Sequence, residues 1–431
     1  MAKERFGMIL PITLLAYFLI LMDNSIIFTS SVQIGQSLGL KAATLSWISS
    51  AYTLTFGGCL LLSGRLSDLL GRKKIFLVGL TVFGLSSLVI SLATSAQLVI
   101  VMRAVQGLGS SIIAPTTLAL IMDNYHGNIR QRAISYYGAM AGIGSSAGLL
   151  IGGGLTSLFS WRLGFLINAP ITLFLIWLTS KYVKKTNGRK EKIDYVGSLL
   201  SILALGGIIY GFTEREILFI IGGLVLLLVF IYFESKLTNP LLPLGLFNDR
   251  IRLGAYLTRF LFMMSMLSFW FFLPQMMQKQ YGFSPLEAGI AFLPLTIINF
   301  IVALWVPRLV GKMGNTKVLL SGEIILALGF ILIILANQAN GYWQVLFIPM
   351  MVIGIGQGLI FAPVTAAGID SAPLKLAGIA SGVTNTMHQL GGAVGLAMIV
   401  ASTTDFKTEL KMILVFTVLG TIMVMLLMRK K

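Results

Sequence analysis

Charge is what this sequence has least of. Asp, Glu, Lys and Arg make up 11% of its 431 residues, against about 25% in an ordinary soluble domain. A water-soluble surface needs charge on about a quarter to a third of its positions, so a soluble globular enzyme is excluded. Ile217 to Phe233 carry no charge at all before Glu234, and the natural solvent of such stretches is lipid. Cysteine and histidine are also scarce. Cys59 is the single cysteine and sits in an apolar run, which excludes a disulfide or a thiolate metal site within one chain. With two histidines and no metal-ligand or nucleophile spacing, a membrane-embedded enzyme is disfavoured, and neither a metal nor a cofactor is expected.

What is present is apolar, 56% of the chain. A helix needs about 20 apolar residues to cross a hydrocarbon core roughly 30 Å thick. Fourteen spans are predicted, beginning near Met8, Leu45, Ile75, Gln97, Ala133, Trp161, Asp194, Ile217, Leu253, Leu286, Lys317, Tyr342, Leu376 and Met412. At roughly 22 residues each they use about 310 residues and leave no room for a nucleotide-binding or other soluble domain.

The sparse charge is lopsided, with 32 Lys and Arg against 15 Asp and Glu, a net of +17. In a soluble chain that would point to nucleic acid. With the N-terminus placed in the cytoplasm, however, the inner loops and both termini collect about 24 of the 32 basic residues and the outer loops about six. Arg103 and Arg259 are the two that fall inside spans. Inner clusters include Arg65/Arg72/Lys73/Lys74, Lys181 to Lys192 and Arg429/Lys430/Lys431. The excess therefore reads as topology, with no nucleic-acid partner, and an even number of spans puts both termini in the cytoplasm. Lys3 and Arg5 ahead of an apolar run resemble a signal peptide, but no small-residue cleavage site follows and the run is long, so it reads as the first span.

Transporters often carry two weakly similar halves, and this chain repeats itself. The inner loop from Gly64 to Lys74 is echoed from Pro307 to Lys317, with Arg, Leu, Gly and Lys kept at an offset of 243. Gly138 and Gly148 pair with Gly382 and Gly392 at 244. Two registers agreeing to one residue imply two six-helix bundles, 1–185 and 241–431, with two inserted helices between them, 186–240. The expected fold class is an all-α polytopic membrane protein of fourteen transmembrane helices.

The motifs resemble those of the major facilitator superfamily, and within it the fourteen-helix drug/proton antiporters that include quaternary-ammonium efflux pumps. Gly64-x-Leu66-x-Asp68-x-x-Gly71-Arg72-Lys73 matches the superfamily's signature loop at every fixed position. Arg103-x-x-Gln106-Gly107 is similar to the fourth-span motif, and Gly138 to Gly154 to the Gly-rich fifth-span motif associated with exporters. Trp161-Arg162-x-x-Phe165-x-Ile167-Asn168-x-Pro170 resembles the start of the sixth span in the fourteen-helix branch. Met22-Asp23-Asn24-Ser25-Ile26-Ile27 resembles that branch's first-span motif. The likeness covers nearly the whole first half and is faint in the second. Phe28 and Val32 stand where Asn and Pro are usual, Ser145 and Ser146 replace a Gly-Pro that would kink the fifth span, and Gly311 replaces the signature Asp in the second-half echo.

Ionisable groups inside a membrane cost about 2.5–3.5 kcal/mol each on insertion scales and point to function. The candidates are Asp23, Arg103, Arg259, Glu323 and His388. Asp23 lies too deep in the first span to snorkel easily; such a carboxyl can exchange a proton and, once ionised, attract a cation. The alternative is a carboxylate wetted at the outer interface. Arg103 could itself snorkel, or, as the fourth-span motif implies, stand near a carboxylate, for which Asp23 is the evident partner. Arg259 and Glu323 sit near the inner boundary, where anchoring competes with a transport role. His388, amid Asn385, Gln389, Gly391 and Gly392, would suit a proton relay, since histidine titrates near neutral pH; a neutral imidazole bonded to a neighbouring helix is the alternative.

The glycines of the Asp68 loop allow a tight turn, and its Arg/Lys cluster can satisfy helix C-terminal carbonyls and nearby carboxylates in one access state and release them in another. A plain positive-inside anchor is the simpler account. The small residues from Gly138 to Gly154 allow close helix contact. In the ninth span, Phe262, Met266 and Trp270 could line an adaptable pocket for flat lipophilic cations, or simply pack against lipid.

The resemblance implies a secondary active transporter that exports lipophilic, often cationic drugs or biocides in exchange for protons, so that the chain would contribute to antibiotic resistance. It implies alternating access, a plasma-membrane location and a functional monomer, with protons, small molecules and the bilayer as partners. Antiport needs no ATP, because a proton entering down the potential is worth about 2.3 kcal/mol per 100 mV. The rival reading is a dedicated metabolite or lipid exporter on the same scaffold.

Overall fold

A segment in lipid must close its backbone hydrogen bonds internally, and the computed structural model is accordingly helical. It describes residues 6–186, 194–237, 240–370, 372–373, 376–402 and 405–428, and among them no strand forms. By internal packing the chain divides into two compact units, Met1–Ser198 and Leu199–Lys431.

The first unit runs through α1 (Ile9–Leu38), α2 (Ala42–Leu70), α3 (Arg72–Leu92), α4 (Ala96–Asn124) and α5 (Gly127–Leu158). A further span follows as α6 (Trp161–Leu166) and α7 (Asn168–Tyr182), joined through Ile167, which keeps helical dihedrals and donates to the Leu163 carbonyl at 3.0 Å. Then come α8 (Tyr195–Glu214), whose first residues belong to the first unit, and α9 (Ile217–Lys236). The second unit continues with α10 (Arg250–Gln280), the pieces α11 (Pro285–Ala291) and α12 (Leu293–Met313), and α13 (Asn315–Leu335). After one π-helical turn (Trp343–Phe347) come α14 (Ile348–Ile369), α15 (Ala377–Ser402) and α16 (Phe406–Leu427). Thirteen spans among the described residues are long and apolar enough to cross a membrane, and α15 adds a helix of 26 residues. The chain is an all-helical, multi-pass membrane protein.

Polar caps set the helix starts. Ser95, Asp249 and Asp405 each accept a bond from the backbone N–H three residues on, opening α4, α10 and α16. Such caps satisfy donors that the helix itself leaves free. The Asp405 cap carries α16 back to Phe406, ahead of the apolar run that begins near Met412; α5 starts at Gly127 rather than near Ala133 without a side-chain cap.

Close packing is set by small residues. A Cβ at Gly148 would lie 2.4 Å from the Met22 carbonyl oxygen, and one at Gly152 2.8 Å from Ile26 Cα, so α5 lies directly on α1. The second unit repeats this kind of contact with Gly391 and Gly395 of α15, 243 residues on from Gly148 and Gly152, against Phe260 and Met264 of α10, 238 residues on from Met22 and Ile26. Helices α3 and α13 start and end at that offset, and the glycines before them, Gly71 and Gly314, share positive φ values of 91° and 81°. The Gly-rich run of α5 is not uniform, since nothing lies within 4 Å of a Cβ at Gly138. With Ser145 and Ser146 in place of a kinking Gly-Pro, α5 is one continuous helix.

Candidate functional site

Asp23 sits midway along α1 and is fully buried. Arg103 of α4, also fully buried, donates from Nη1 to Asp23 Oδ2 at 2.7 Å. The other carboxylate oxygen, Oδ1, accepts from Gln106 Nε2 at 2.9 Å and from Asn168 Nδ2 at 2.6 Å. Gln106 lies one turn beyond Arg103 and accepts from its Nη1 at 2.6 Å, while giving a second bond to Ser87 Oγ of α3 at 2.7 Å. Asn168 opens α7, which packs beside α1. Arg103 Nε is satisfied by the Ile48 carbonyl at 3.0 Å, and the guanidinium carbon stands 4.1 Å from the ring centre of Tyr52.

A buried ion pair repays its desolvation only when geometry is good and the remaining polar positions are bonded. Here both carboxylate oxygens are engaged. Two polar atoms of the cluster, Arg103 Nη2 and Asn168 Oδ1, have no hydrogen-bond partner among the described residues. The cluster is thus a shielded acid beside a permanent cation, with donor and acceptor positions left over. Neither a wetted Asp23 nor a snorkelling Arg103 survives their complete burial. Reading the sequence alone placed Gln106 and Asn168 in motifs without assigning them partners, and passed over Ser87 and Tyr52. The available signal was amide residues inside otherwise apolar spans, since a buried amide must find partners.

The Asp68 loop is tied down by charge. Asp68 pairs with Arg72 at 2.8 Å, and Arg72 also pairs with Asp123 at the C-terminal end of α4. The Arg72 backbone N–H donates to Thr186 Oγ1 at 2.9 Å, and Lys73 Nζ to the Ser180 carbonyl near the end of α7 at 2.7 Å. Gly71 cannot be replaced freely: its φ is 91°, and a Cβ would lie 2.3 Å from the Thr186 carbonyl oxygen. Gly64 faces Pro115 of α4 at 3.9 Å. Asp123 was missed in the sequence, where it is an acid at the end of a span on the basic side.

The second unit has buried ionisable groups of its own. Glu323 of α13 is fully buried, neither oxygen has a hydrogen-bond partner among the described residues, and it faces Gly420 of α16. Arg259 of α10 is buried too and so cannot be an interfacial anchor; its guanidinium carbon lies 3.8 Å from the Phe361 ring centre. His388 is half-buried and meets the same ring edge-on. Phe262 and Met266 are buried, so neither packs against lipid, and Trp270 on the same helix is half-buried.

A sequence profile of the Major Facilitator Superfamily matches residues 13–396. The chain belongs to that superfamily. Among its relatives is the cephamycin export protein CmcT of Amycolatopsis lactamdurans, 33% identical over 403 residues, covering 90% of this chain and 83% of the relative. The puromycin resistance protein pur8 of Streptomyces alboniger is 31% identical over 403 residues, covering 90% and 80%. A crystal structure of a peptide transporter bound to alafosfalin is similar to this chain with a TM-score of 0.75, at 17% identity, covering 99% of this chain and 95% of that one. That likeness establishes the major facilitator fold. The expected fold class therefore holds.

Proposed function

We propose that this superfamily member is a proton-coupled efflux transporter of the fourteen-helix drug/proton antiporter branch. It exports lipophilic, often cationic drugs or biocides across the plasma membrane by alternating access. The observation that carries the reading is the buried Asp23–Arg103 pair with its Gln106 and Asn168 donors. A proton arriving at Asp23 breaks the pair and leaves Arg103 to Gln106, Ile48 and Tyr52; its departure restores the pair. Such an exchange changes which helices are bound to α1, which is what a two-state transporter needs. Glu323 and His388 are secondary proton sites, and Gly64, Asp68, Gly71, Arg72 and Lys73 form the switch loop. Phe262, Met266 and Trp270 contribute the substrate surface. The arrangement is two six-helix bundles, 1–185 and 241–431, joined by two inserted helices at 186–240, with both termini cytoplasmic and the monomer as the working unit. Relatives named for antibiotic export and resistance support a drug substrate.

One of those names denotes export of a single antibiotic class, which favours a dedicated exporter as the second reading. Both are tested in proteoliposomes carrying an imposed pH gradient and a panel of cationic, zwitterionic and neutral compounds. Gradient-driven efflux of several unrelated cations is expected. Movement of one compound alone would favour the dedicated exporter, and movement driven by ATP without an ion gradient would remove the antiport reading.

A further inference from the structure

Helices α10, α14 and α15 meet along one stripe in the second unit. At one end of it Tyr256 of α10 donates to the Gly368 carbonyl of α14 at 3.1 Å, and a Cβ at Gly368 would lie 2.6 Å from Thr384 Oγ1 of α15. Positions three, four and seven residues apart share a helix face. Three residues on from Tyr256, four on from Thr384 and seven back from Gly368 stand Arg259, His388 and Phe361. They converge: the guanidinium lies over the Phe361 ring, whose centre is 5.9 Å from that of the His388 imidazole at an interplanar angle of 81°. Arg259 is 1% exposed and Phe361 40% exposed, so the ring walls the cation from the open side. The Nδ1 atom of His388 is shielded from solvent and has no hydrogen-bond partner among the described residues.

A guanidinium keeps its proton and offers a planar fork of donors that fits a carboxylate bidentately. The imidazole adds a donor, and the aromatic wall suits a flat apolar body. We propose that Arg259, His388 and Phe361 form an anion subsite that takes the carboxylate end of a lipophilic aromatic substrate. The exported compounds then include organic acids and zwitterions as well as cations. The inference rests on the drug-export reading and extends its substrate class. In the occupied subsite the Phe361 ring turns toward its exposed side, and the carboxylate takes its place over the guanidinium.

The test uses the full-length protein in detergent, with 1-pyrenebutyrate and its methyl ester as fluorescent probes, each corrected for partition into empty micelles. The wild-type protein is expected to hold the acid about tenfold or more tighter than the ester, as a charge-assisted bidentate contact would give. Arg259→Gln should bring that ratio to within about twofold of unity, and Arg259→Lys, which keeps the charge and loses the fork, should fall between. Equal affinities in the wild-type protein, or an undiminished ratio in Arg259→Gln, overturn the subsite. Should Arg259→Gln fail to purify as a single species, His388→Asn and Arg259→Lys carry the same test. A severalfold smaller ratio is expected in each, and a full wild-type ratio in both overturns the subsite. Efflux of ethidium from wild-type proteoliposomes under a pH gradient is measured alongside. Its absence with a retained acid preference would refute the antiport reading and leave the subsite standing.

Discussion

Replacing Asp23 by Asn removes one negative charge with almost no change of shape, and its cost can be worked from the contacts. Three donors converge on the carboxylate: Arg103 Nη1, Gln106 Nε2 and Asn168 Nδ2. An amide has only one acceptor oxygen, so its NH2 group must face either Arg103 or the two neighbouring amides, donor against donor. Arg103 remains charged, because a guanidinium does not release its proton. Leaving one partner of a buried pair uncompensated costs about 3–5 kcal/mol, a loss on the order of 10 °C in apparent melting temperature. The double variant Asp23→Asn/Arg103→Gln removes the stranded charge and should recover about half or more of that loss. Function should separate from stability. Both variants are expected to lose proton release on substrate addition and gradient-driven efflux, since neither retains the acid. Melting is followed by intrinsic fluorescence, proton release in weakly buffered detergent at several pH values, and efflux in proteoliposomes. Undiminished proton release from Asp23→Asn would refute the reasoning and transfer the proton to Glu323 or His388. Recovered efflux in the double variant would make the pair a packing device only. Asp23→Glu keeps the acid but moves it by one methylene, and partial activity with a shifted pH profile is expected.

Asp68→Asn weakens a half-exposed contact to Arg72, which keeps Asp123, so stability should fall by no more than about 1 kcal/mol. Turnover is expected to drop while substrate affinity holds, a split visible by comparing initial efflux rates with binding in detergent; normal turnover would reduce the loop to an anchor. Gly148→Ala should force α1 from α5 at a cost of about 1–3 kcal/mol, because its Cβ would meet the Met22 carbonyl, whereas Gly138→Ala opens onto free space and should be neutral or stabilising. Thermal unfolding of the purified pair decides it, and equal melting points would refute the packing argument. Cysteine-labelling reporters at Lys185 and after Lys431 should read cytoplasmic and one at Lys407 external; termini on opposite faces would mean a miscounted span.

The spans and the repeat were legible because both rest on composition and glycine spacing, which lipid enforces residue by residue. Charge scarcity alone located nearly every helix, and the 243-residue offset recurs in the bounds of α3 and α13. Helix ends were less legible where a polar cap outran the apolar run, as Asp405 does for α16. The pairing of Asp23 with Arg103 could be named because the resemblance of the fourth span implies an arginine near a carboxylate, and Asp23 was the evident partner. Its amide donors could not, because Gln106 and Asn168 reach Asp23 from α4 and α7, far from it in the chain, and no periodicity in the sequence encodes those contacts. The stacking of Arg259 on Phe361 was equally invisible, since it joins residues on α10 and α14 far apart in the chain.

The 243-residue offset also shows where the two copies have parted. At that offset Asp68 corresponds to Gly311 and Arg72 to Asn315. The turns before α3 and α13 thus share a glycine at positive φ and a following helix of equal length, while the Asp68–Arg72 pair of the first unit has Gly311 and Asn315 in its place in the second. There the position of the Arg72 clamp is filled by Asn315, whose amide reaches the Pro363 carbonyl at 2.8 Å. A neutral tether of this kind is far less sensitive to salt than an ion pair. Rising ionic strength should therefore loosen the Arg72 end of the first unit before the Asn315 end of the second, making the two repeats distinguishable by salt alone.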